Sequence, residues 1–376
     1  MSLHRFNKSA LLPAGLYDIL PPQAAHEANV EARLMANFFT HGYECVKPPL
    51  IEFEESLIYG HSSTVSEHIF RVMDPMTQRM MGIRSDMTLQ IARIATTQLI
   101  NVARPLRLSY SGQVLRLKGN QLRPERQFGQ AGIELIGVDS ATADAEIIVL
   151  ITKSLIDLGI DNICVDLILP SLISEICIGL DNIENINTAL DHKDSSIVST
   201  IGGDVGQILN ALIEAVGPAT STLVKLSVIP LPEVAKYLLN RLTMVVDLIV
   251  QAVPELILTI DPVERRGFEY HNGVGFTVFK KGSVTELGRG GRYSANGESA
   301  VGATLFMNTV QNVIPHQIKN RRVFIPIGTS IDICRSLRSE GWVTIAGLEQ
   351  VDDDKREAMR MSCSHFLLNG LVTKIN

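Results

Sequence analysis

The chain has 376 residues, 45% hydrophobic and 20% charged, with 34 Lys+Arg against 40 Asp+Glu for a formal net charge of −6. Such a composition supplies a large buried core, excludes a disordered chain and predicts two to three domains of roughly 150 residues each. The negative balance excludes a general polyanion binder. The longest uncharged run, Ser299 to Ile318, carries Gly, Asn, Gln, Pro and His, too polar for the ~20 apolar residues that a spanning helix needs. The opening MSLHRFNKSALLPAG has no continuous apolar stretch, so no secretory leader is expected. Five cysteines, Cys45, Cys164, Cys177, Cys334 and Cys363, contain no Cys-x-x-Cys. They predict reduced thiols in a cytoplasmic protein, with neither a zinc site nor a disulfide framework.

In chain order, Ala24 to Thr40 places Val30, Leu34 and Phe38 on one helical face and ends near Gly42. Strand-like runs follow: YECVKP, HIFRVMD, RMMGIRS, LRLSYSGQVLRL and QFGQAGIELIGV. Between them Asp86 to Leu99 predicts a helix with an Asp or Thr cap. Ala143 to Leu158 predicts another, with Ile147, Leu150, Ile151 and Leu155 at helical spacing. Cys164 to Leu169 reads as a strand that Pro170 ends, and Ser171 to Val253 as mostly helical. Strands resume at Leu256 to Ile260, Gly275 to Lys280 and Ser283 to Leu287. The tail, Asn320 to Asn376, has an α/β rhythm: RVFIPIG, a helix near Asp332 to Glu340, GWVTIAGLE, a helix near Asp354 to Ser362, then HFLLNGLVTKI. Hairpin-linked strands with intervening helices give an α+β class with an antiparallel sheet.

Charge is uneven. Arg104 to Arg126 holds six basic residues and one acid, whereas Ser171 to Pro262 holds eleven acids and four bases. Four segments result: residues 1–170, an acidic helical insert at 171–262, residues 263–314 and a small α/β domain at 315–376.

Two stretches combine Gly, Arg and polar residues inside strand-like runs. In GQVLRLKGNQLRPERQFGQAGIELIG, Gln130 and Glu134 are four apart, which on a strand puts both on one face. Arg116 lies on the preceding strand, so a hairpin is expected to bring its guanidinium towards the amide and the carboxylate. That set suits a zwitterionic ligand, the acid accepting from ammonium or imidazole N–H and arginine taking a carboxylate. A solvent-facing polar stripe explains the spacing equally well. In DPVERRGFEYHNGVGFTVF and ELGRGGRY, Arg266, Tyr270 and His271 are candidate pocket walls. Gly288, Gly290 and Gly291 would let backbone approach a ligand, and a plain turn is the alternative. The glycines do not lead from a strand into a helix, which excludes a dinucleotide fingerprint.

In this arrangement, from about Leu12 to Met307, the chain resembles the catalytic core of histidyl-tRNA synthetase, a class II aminoacyl-tRNA synthetase. Within that superfamily it resembles the non-catalytic ATP phosphoribosyltransferase regulatory subunits. LPAGLYDILPP looks like the family's Gly-x-x-Asp-x-Leu-Pro, and GYECVKPPLIEFEES resembles the motif 1 region that builds the dimer interface. IRSDMT stands where the family has Leu-Arg-Pro-Glu-Gly-Thr. RQFGQAGIE resembles Arg-Gln-Phe-x-Gln-x-Gly-x-Glu, and RRGFEYHNG resembles Arg-Gly-Leu-Asp-Tyr-Tyr-Thr-Gly. The resemblance implies a histidine site. Asp86, Thr88 and Gln130 would meet the α-amino group, and Glu134 with Tyr270 and His271 the imidazole. Arg116 and Arg266 match the arginines that handle the carboxylate and the activated phosphate.

Departures from the family pattern imply that the chemistry is lost. The synthetases hold ATP with Arg-x-Glu in motif 2 and Gly-x-Glu-Arg in motif 3. Here motif 2 reads Arg116-Leu117-Lys118, and Asn308-Thr309 stand where Glu-Arg belongs. Each missing charge-assisted phosphate contact removes roughly 1.5–3 kcal/mol of binding. The resemblance therefore implies a subunit with no catalytic residues, no cofactor and L-histidine as effector. Its implied partners are a short-form ATP phosphoribosyltransferase catalytic subunit and a second copy, as a dimer within a hetero-octamer. The tail resembles a shortened anticodon-binding domain. Between Pro315 and Asn376 it carries nine basic and seven acidic residues, too small an excess for an expected tRNA role.

Overall fold

The computed structural model describes residues 11–57, 69–119, 124–180, 183–265, 271–314 and 321–375. It divides into two compact units, Met1–Pro315 and His316–Asn376.

The first unit opens with the helix Gln23–Thr40, whose Val30, Leu34 and Phe38 are buried at helical spacing. It ends at Gly42, which takes the left-handed conformation (φ 83°) common just past a helix. β1 (Glu44–Cys45) comes next, then β2 (Ile51–Phe53), β3 (Phe70–Met73) and β4 (Met80–Ile83), which form a small sheet in the order β2-β4-β3. The main sheet is built on the long hairpin of β5 (Leu106–Leu115) and β6 (Gln127–Ile136). It is completed by β7 (Ile163–Ile168), β8 (Gly217–Pro218), β9 (Ile257–Asp261), β10 (His271–Lys280), β11 (Glu286–Ala295) and β12 (Glu298–Phe306). The strand order is β1-β5-β6-β12-β11-β10-β7-β9-β8. Every pairing from β5 across to β7 is antiparallel, while β1 with β5 and β7 with β9 are parallel.

Side chains alternate across this sheet. Ala131, Ile133 and Leu135 of β6 face one continuous core. They meet there Leu34 of the first helix, Ile147 and Ile151 of the helix Ala141–Asp157, and Leu242 and Ile249 of the helix Glu233–Ala252. Phe128 and Ile136 of the same strand face the other side, against Met87, Ile91 and Ala95 at the helix Thr88–Thr96. Gln130, Gly132 and Glu134 share that second face by the same alternation.

Residues 171–253 are mostly helical, as the periodicity predicts, and their buried positions (Leu209, Leu212, Leu242, Val246) join the core beneath the sheet. β12 has no counterpart among the expected strands, and two further strand assignments differ from expectation. β10 begins at His271, and the strand expected over Ser283 to Leu287 runs instead from Glu286 to Ala295, so the glycines of ELGRGGRY lie on a strand and not in a turn. A strand normally announces itself by alternating side chains, which three glycines cannot supply. Tight packing accounts for their place here: a Cβ at Gly290 would run into the Gly302 carbonyl and lie 2.6 Å from the Phe276 ring.

The second unit is a small α/β fold. β13 (Arg322–Ile325), the helix Ile331–Ser339, β14 (Val343–Ala346), the helix Asp354–Arg360, β15 (His365–Leu368) and β16 (Leu371–Lys374) build a sheet in the order β14-β13-β15-β16. The final run HFLLNGLVTKI is a hairpin turned at Asn369-Gly370, both with positive φ (50° and 80°), as a two-residue hairpin turn requires. Val323, Ile325, Leu337 and Leu367 pack on one face and Phe324, Ala358, Cys363 and Phe366 on the other. Among the described residues, no helix is long and apolar enough to cross a membrane.

Candidate functional site

Four of the eight candidate residues come together on the sheet face beside the helix Thr88–Thr96. The segment leading into this helix brings Asp86, which is half-buried. Its Oδ1 accepts from the backbone N of Thr88 at 2.8 Å, the short turn contact for which Asp is suited. Its Oδ2 accepts from Gln130 Nε2 at 3.0 Å, and Gln130 Oε1 accepts from the Met87 backbone N at 3.2 Å. The wholly buried amide is thereby used at both ends and its orientation fixed.

Glu134 lies two strand steps beyond Gln130 past Gly132 and has no exposed surface. Tyr293 of β11 donates to its Oε2 at 2.9 Å, and Tyr110 of β5 approaches Oε1 at 3.4 Å. The Tyr110 hydroxyl also meets Thr304 Oγ1 at 2.7 Å and Thr88 Oγ1 at 3.2 Å. This tight hydroxyl network around one carboxyl needs missing side chains nearby. A Cβ on Gly132 would collide with the Tyr110 phenol, and one on Gly302 with the Glu134 carboxylate. Burial pushes the Glu134 carboxyl up to about 8, against the opposing pull of the Tyr293 hydrogen bond. Burial likewise raises the Tyr110 phenol well above its ordinary value. At neutral pH Glu134 is therefore held mainly as a neutral acid that can both donate and accept, and Asp86 is the more open of the two side chains. One end of the site suits a ring with both N–H and bare nitrogen, and the other suits an ammonium group.

The remaining candidates fall elsewhere or outside view. Arg116 was expected to reach the amide and the carboxylate through the β5–β6 hairpin. The register pairs Gln130 with Gly112 and Glu134 with Leu108, so Arg116 lies beyond the end of β5, with its backbone N donating to Arg126 O. Its backbone is four residues past the Gln130 level, about 13 Å at the usual rise, and its guanidinium stands 4.9 Å over the ring of Phe128, on the same sheet face as Gln130. His271 begins β10 opposite Tyr293 and is buried. Arg266 and Tyr270 lie outside the described residues.

Tyr110, Tyr293 and Thr304 are the members that sequence reading missed. Each sits on a different strand from Glu134, so no spacing within one segment points to them. The usable signal was the glycines opposite: Gly132 between Gln130 and Glu134, and Gly302 in the register position facing Glu134. Where the synthetase motifs have their ATP-holding Glu-Arg, Thr309 Oγ1 donates to the backbone oxygens of Glu286 (2.7 Å) and Phe306 (2.9 Å). Phe306 is buried edge-on against Phe128, with centroids 6.1 Å apart.

Comparison with known proteins agrees with this architecture. Residues 15–310 match the family model described as histidyl-tRNA synthetase. The ATP phosphoribosyltransferase regulatory subunit of Paramagnetospirillum magneticum is 52% identical, covering 95% of this chain and 96% of its own. That of Rhodospirillum centenum is 50% identical, covering 97% and 96%. Among solved structures, an ATP phosphoribosyltransferase regulatory subunit/histidyl-tRNA synthetase from Bacillus halodurans has the same fold, with a TM-score of 0.80 at 21% identity over 96% of this chain and 97% of its own. The histidyl-tRNA synthetase of Nostoc sp. PCC 7120 reaches 0.77 at 16% identity, over 96% and 91%. The chain thus belongs to the histidyl-tRNA synthetase-like family, in the group of ATP phosphoribosyltransferase regulatory subunits.

Proposed function

We propose that this chain acts without catalysis of its own as the regulatory subunit of a cytoplasmic ATP phosphoribosyltransferase and binds L-histidine for feedback control. In this reading Asp86 and Thr88 take the ligand's ammonium group, Gln130 orients Asp86, and Glu134 within its tyrosine pair takes the imidazole. Tyr270, His271, Arg116 and Arg266 complete the proposed set. The observation that carries the reading is a division within one site. Asp86, Thr88, Gln130 and Glu134 lie in one hydrogen-bonded group, which supports an amino-acid site, while Thr309, at the motif 3 arginine position, is turned onto backbone oxygens and offers no charge to a phosphate.

The partner is a short-form catalytic subunit, with this chain dimeric inside a hetero-octamer and without a tRNA role. Feedback requires only that histidine favour one state of the complex, and a coupling of roughly 1–3 kcal/mol is enough. Calorimetry of the purified chain tests the reading, with L-histidine alone and then with ATP present. A histidine signal without an ATP signal is expected, followed by histidine-sensitive phosphoribosyl transfer once the catalytic subunit is added. Competent ATP binding together with AMP formation would instead establish a histidine ligase.

A further inference from the structure

Arg84, two residues before Asp86, is 6% exposed. Its Nε donates to Gln113 O at 2.8 Å, and its Nη1 donates to Pro48 O at 3.0 Å and Gln90 Oε1 at 3.4 Å. All three acceptors are neutral. Nη2 makes no hydrogen bond to a described residue, and no carboxylate of a described residue stands within ion-pair distance of the guanidinium. The carboxylate whose field Arg84 feels is Glu52, and Glu52 is already engaged by Arg93, through Nε at 3.1 Å and Nη2 at 2.5 Å, and by Gln90 at 2.8 Å. Burial accordingly pulls the Arg84 pKa below the ordinary arginine value. A buried cation left this short of counter-charge is costly.

Its position relates that cost to the site. Gly112 lies where a Cβ would strike Arg84 Nη2 and come 3.4 Å from Met87 Sδ. Gly112 is also the register partner of Gln130, whose amide holds Asp86. A spare guanidinium N–H and a half-buried carboxylate therefore flank the same glutamine. Together they are the complement of a zwitterion.

We propose that Arg84 binds the α-carboxylate of the amino acid in this site while Asp86 binds its ammonium group, so that the two read the ligand's backbone across Gln130. The inference rests on the amino-acid reading of the site. It gives the carboxylate to a residue already in place, whereas the motif resemblance gave it to Arg116 or Arg266.

Calorimetry on the full chain with L-histidine, L-histidinol and histamine tests it, because the last two keep the ring and amine but lack the carboxylate. Wild type is expected to hold histidine at least ~10-fold tighter than either, the scale of one charge-assisted hydrogen bond. In Arg84→Met that preference should vanish, with histidine weakened roughly 10- to 100-fold and histamine nearly unchanged. Gly112→Ala, which displaces Nη2 without removing the charge, should move in the same direction, and Arg84→Lys should restore part of the preference. Equal binding of histidine and histamine by wild type overturns the proposal. So does a folded Arg84→Met or Gly112→Ala variant that loses both ligands equally, since Arg84 is then only a staple between Pro48 and Gln113. Failure of wild type to bind histidine at all overturns the function reading first and this one with it.

Discussion

A carboxyl group held only by neutral hydroxyls, out of water, keeps its proton far above the usual carboxylate range, because burial penalises the charged form more than those hydrogen bonds repay it. Glu134 is in this position, raised from 4.5 to about 8 in the folded chain. Folding therefore retains a proton that the unfolded chain releases. The stabilisation is fully present below about pH 4.5 and is lost as pH rises through about 8. The thermal midpoint of the ligand-free chain should consequently fall between pH 5 and 9 by more in wild type than in Glu134→Gln, which keeps the shape but cannot ionise. Parallel melting curves for the two chains would show that this carboxyl does not titrate there. The neighbouring glycine gives a second expectation. Gly302→Ala forces a methyl group against the Glu134 carboxylate, and overpacking of this kind costs about 1–3 kcal/mol. Denaturant titration should register that loss, and histidine binding should fall with it.

At the scale of elements, the sheet and its helices are tied by one buried ionic cluster. Asp144 on the helix Ala141–Asp157 accepts from Arg292 Nε of β11 at 2.8 Å and from Arg241 Nε of the helix Glu233–Ala252 at 2.7 Å. All three side chains are no more than 10% exposed. Arg292 is next to Tyr293, so successive residues of β11 anchor the helical layer on one face and hold Glu134 on the other. Removing the acid leaves Arg241 and Arg292 with only the exposed Asp139, at 2.5 and 3.5 Å, as counter-charge, and breaking a buried pair typically costs about 3–5 kcal/mol. Asp144→Ala should show that loss in urea unfolding and faster amide exchange along residues 233–252. A loss under about 1 kcal/mol would mean that the cluster is solvated and weak. The helices on both sides of this cluster were legible in the sequence, because Ile147, Ile151 and Leu155 recur at the helical period. The shared face of Gln130 and Glu134 was legible for the corresponding reason on a strand. What stayed hidden was pairing across strands. β5–β6 register puts Gly112 opposite Gln130 and leaves Arg116 beyond the end of β5, and the alternation within one strand does not reveal which partner residue it will face. Gly288, Gly290 and Gly291 misled in the same way, since they carry strand geometry without strand alternation.

For the whole molecule, the two compact units raise the question of how much chain the site needs. Each unit has its own buried core, the first built around Leu34, Ile133, Ile151 and Leu242 and the second around Val323, Phe324, Phe366 and Leu367. Every described residue of the site, from Arg84 to Thr304, belongs to the first unit. The second unit is near the size, about 60 residues, at which a fold buries only some 60% of its unfolded surface and is marginal by itself. The first unit has no such shortage of core. A chain ending at residue 315 should therefore melt in one cooperative transition and bind histidine within about 3-fold of the full chain, a change of under about 1 kcal/mol. Calorimetry of the truncated and full chains side by side measures this directly. A truncated chain that folds but loses histidine by more than tenfold would place part of the site, or its support, in the second unit. With histidine binding unchanged and assembly with the catalytic subunit lost, the second unit would be a docking element, separate from the histidine site proposed in the first unit.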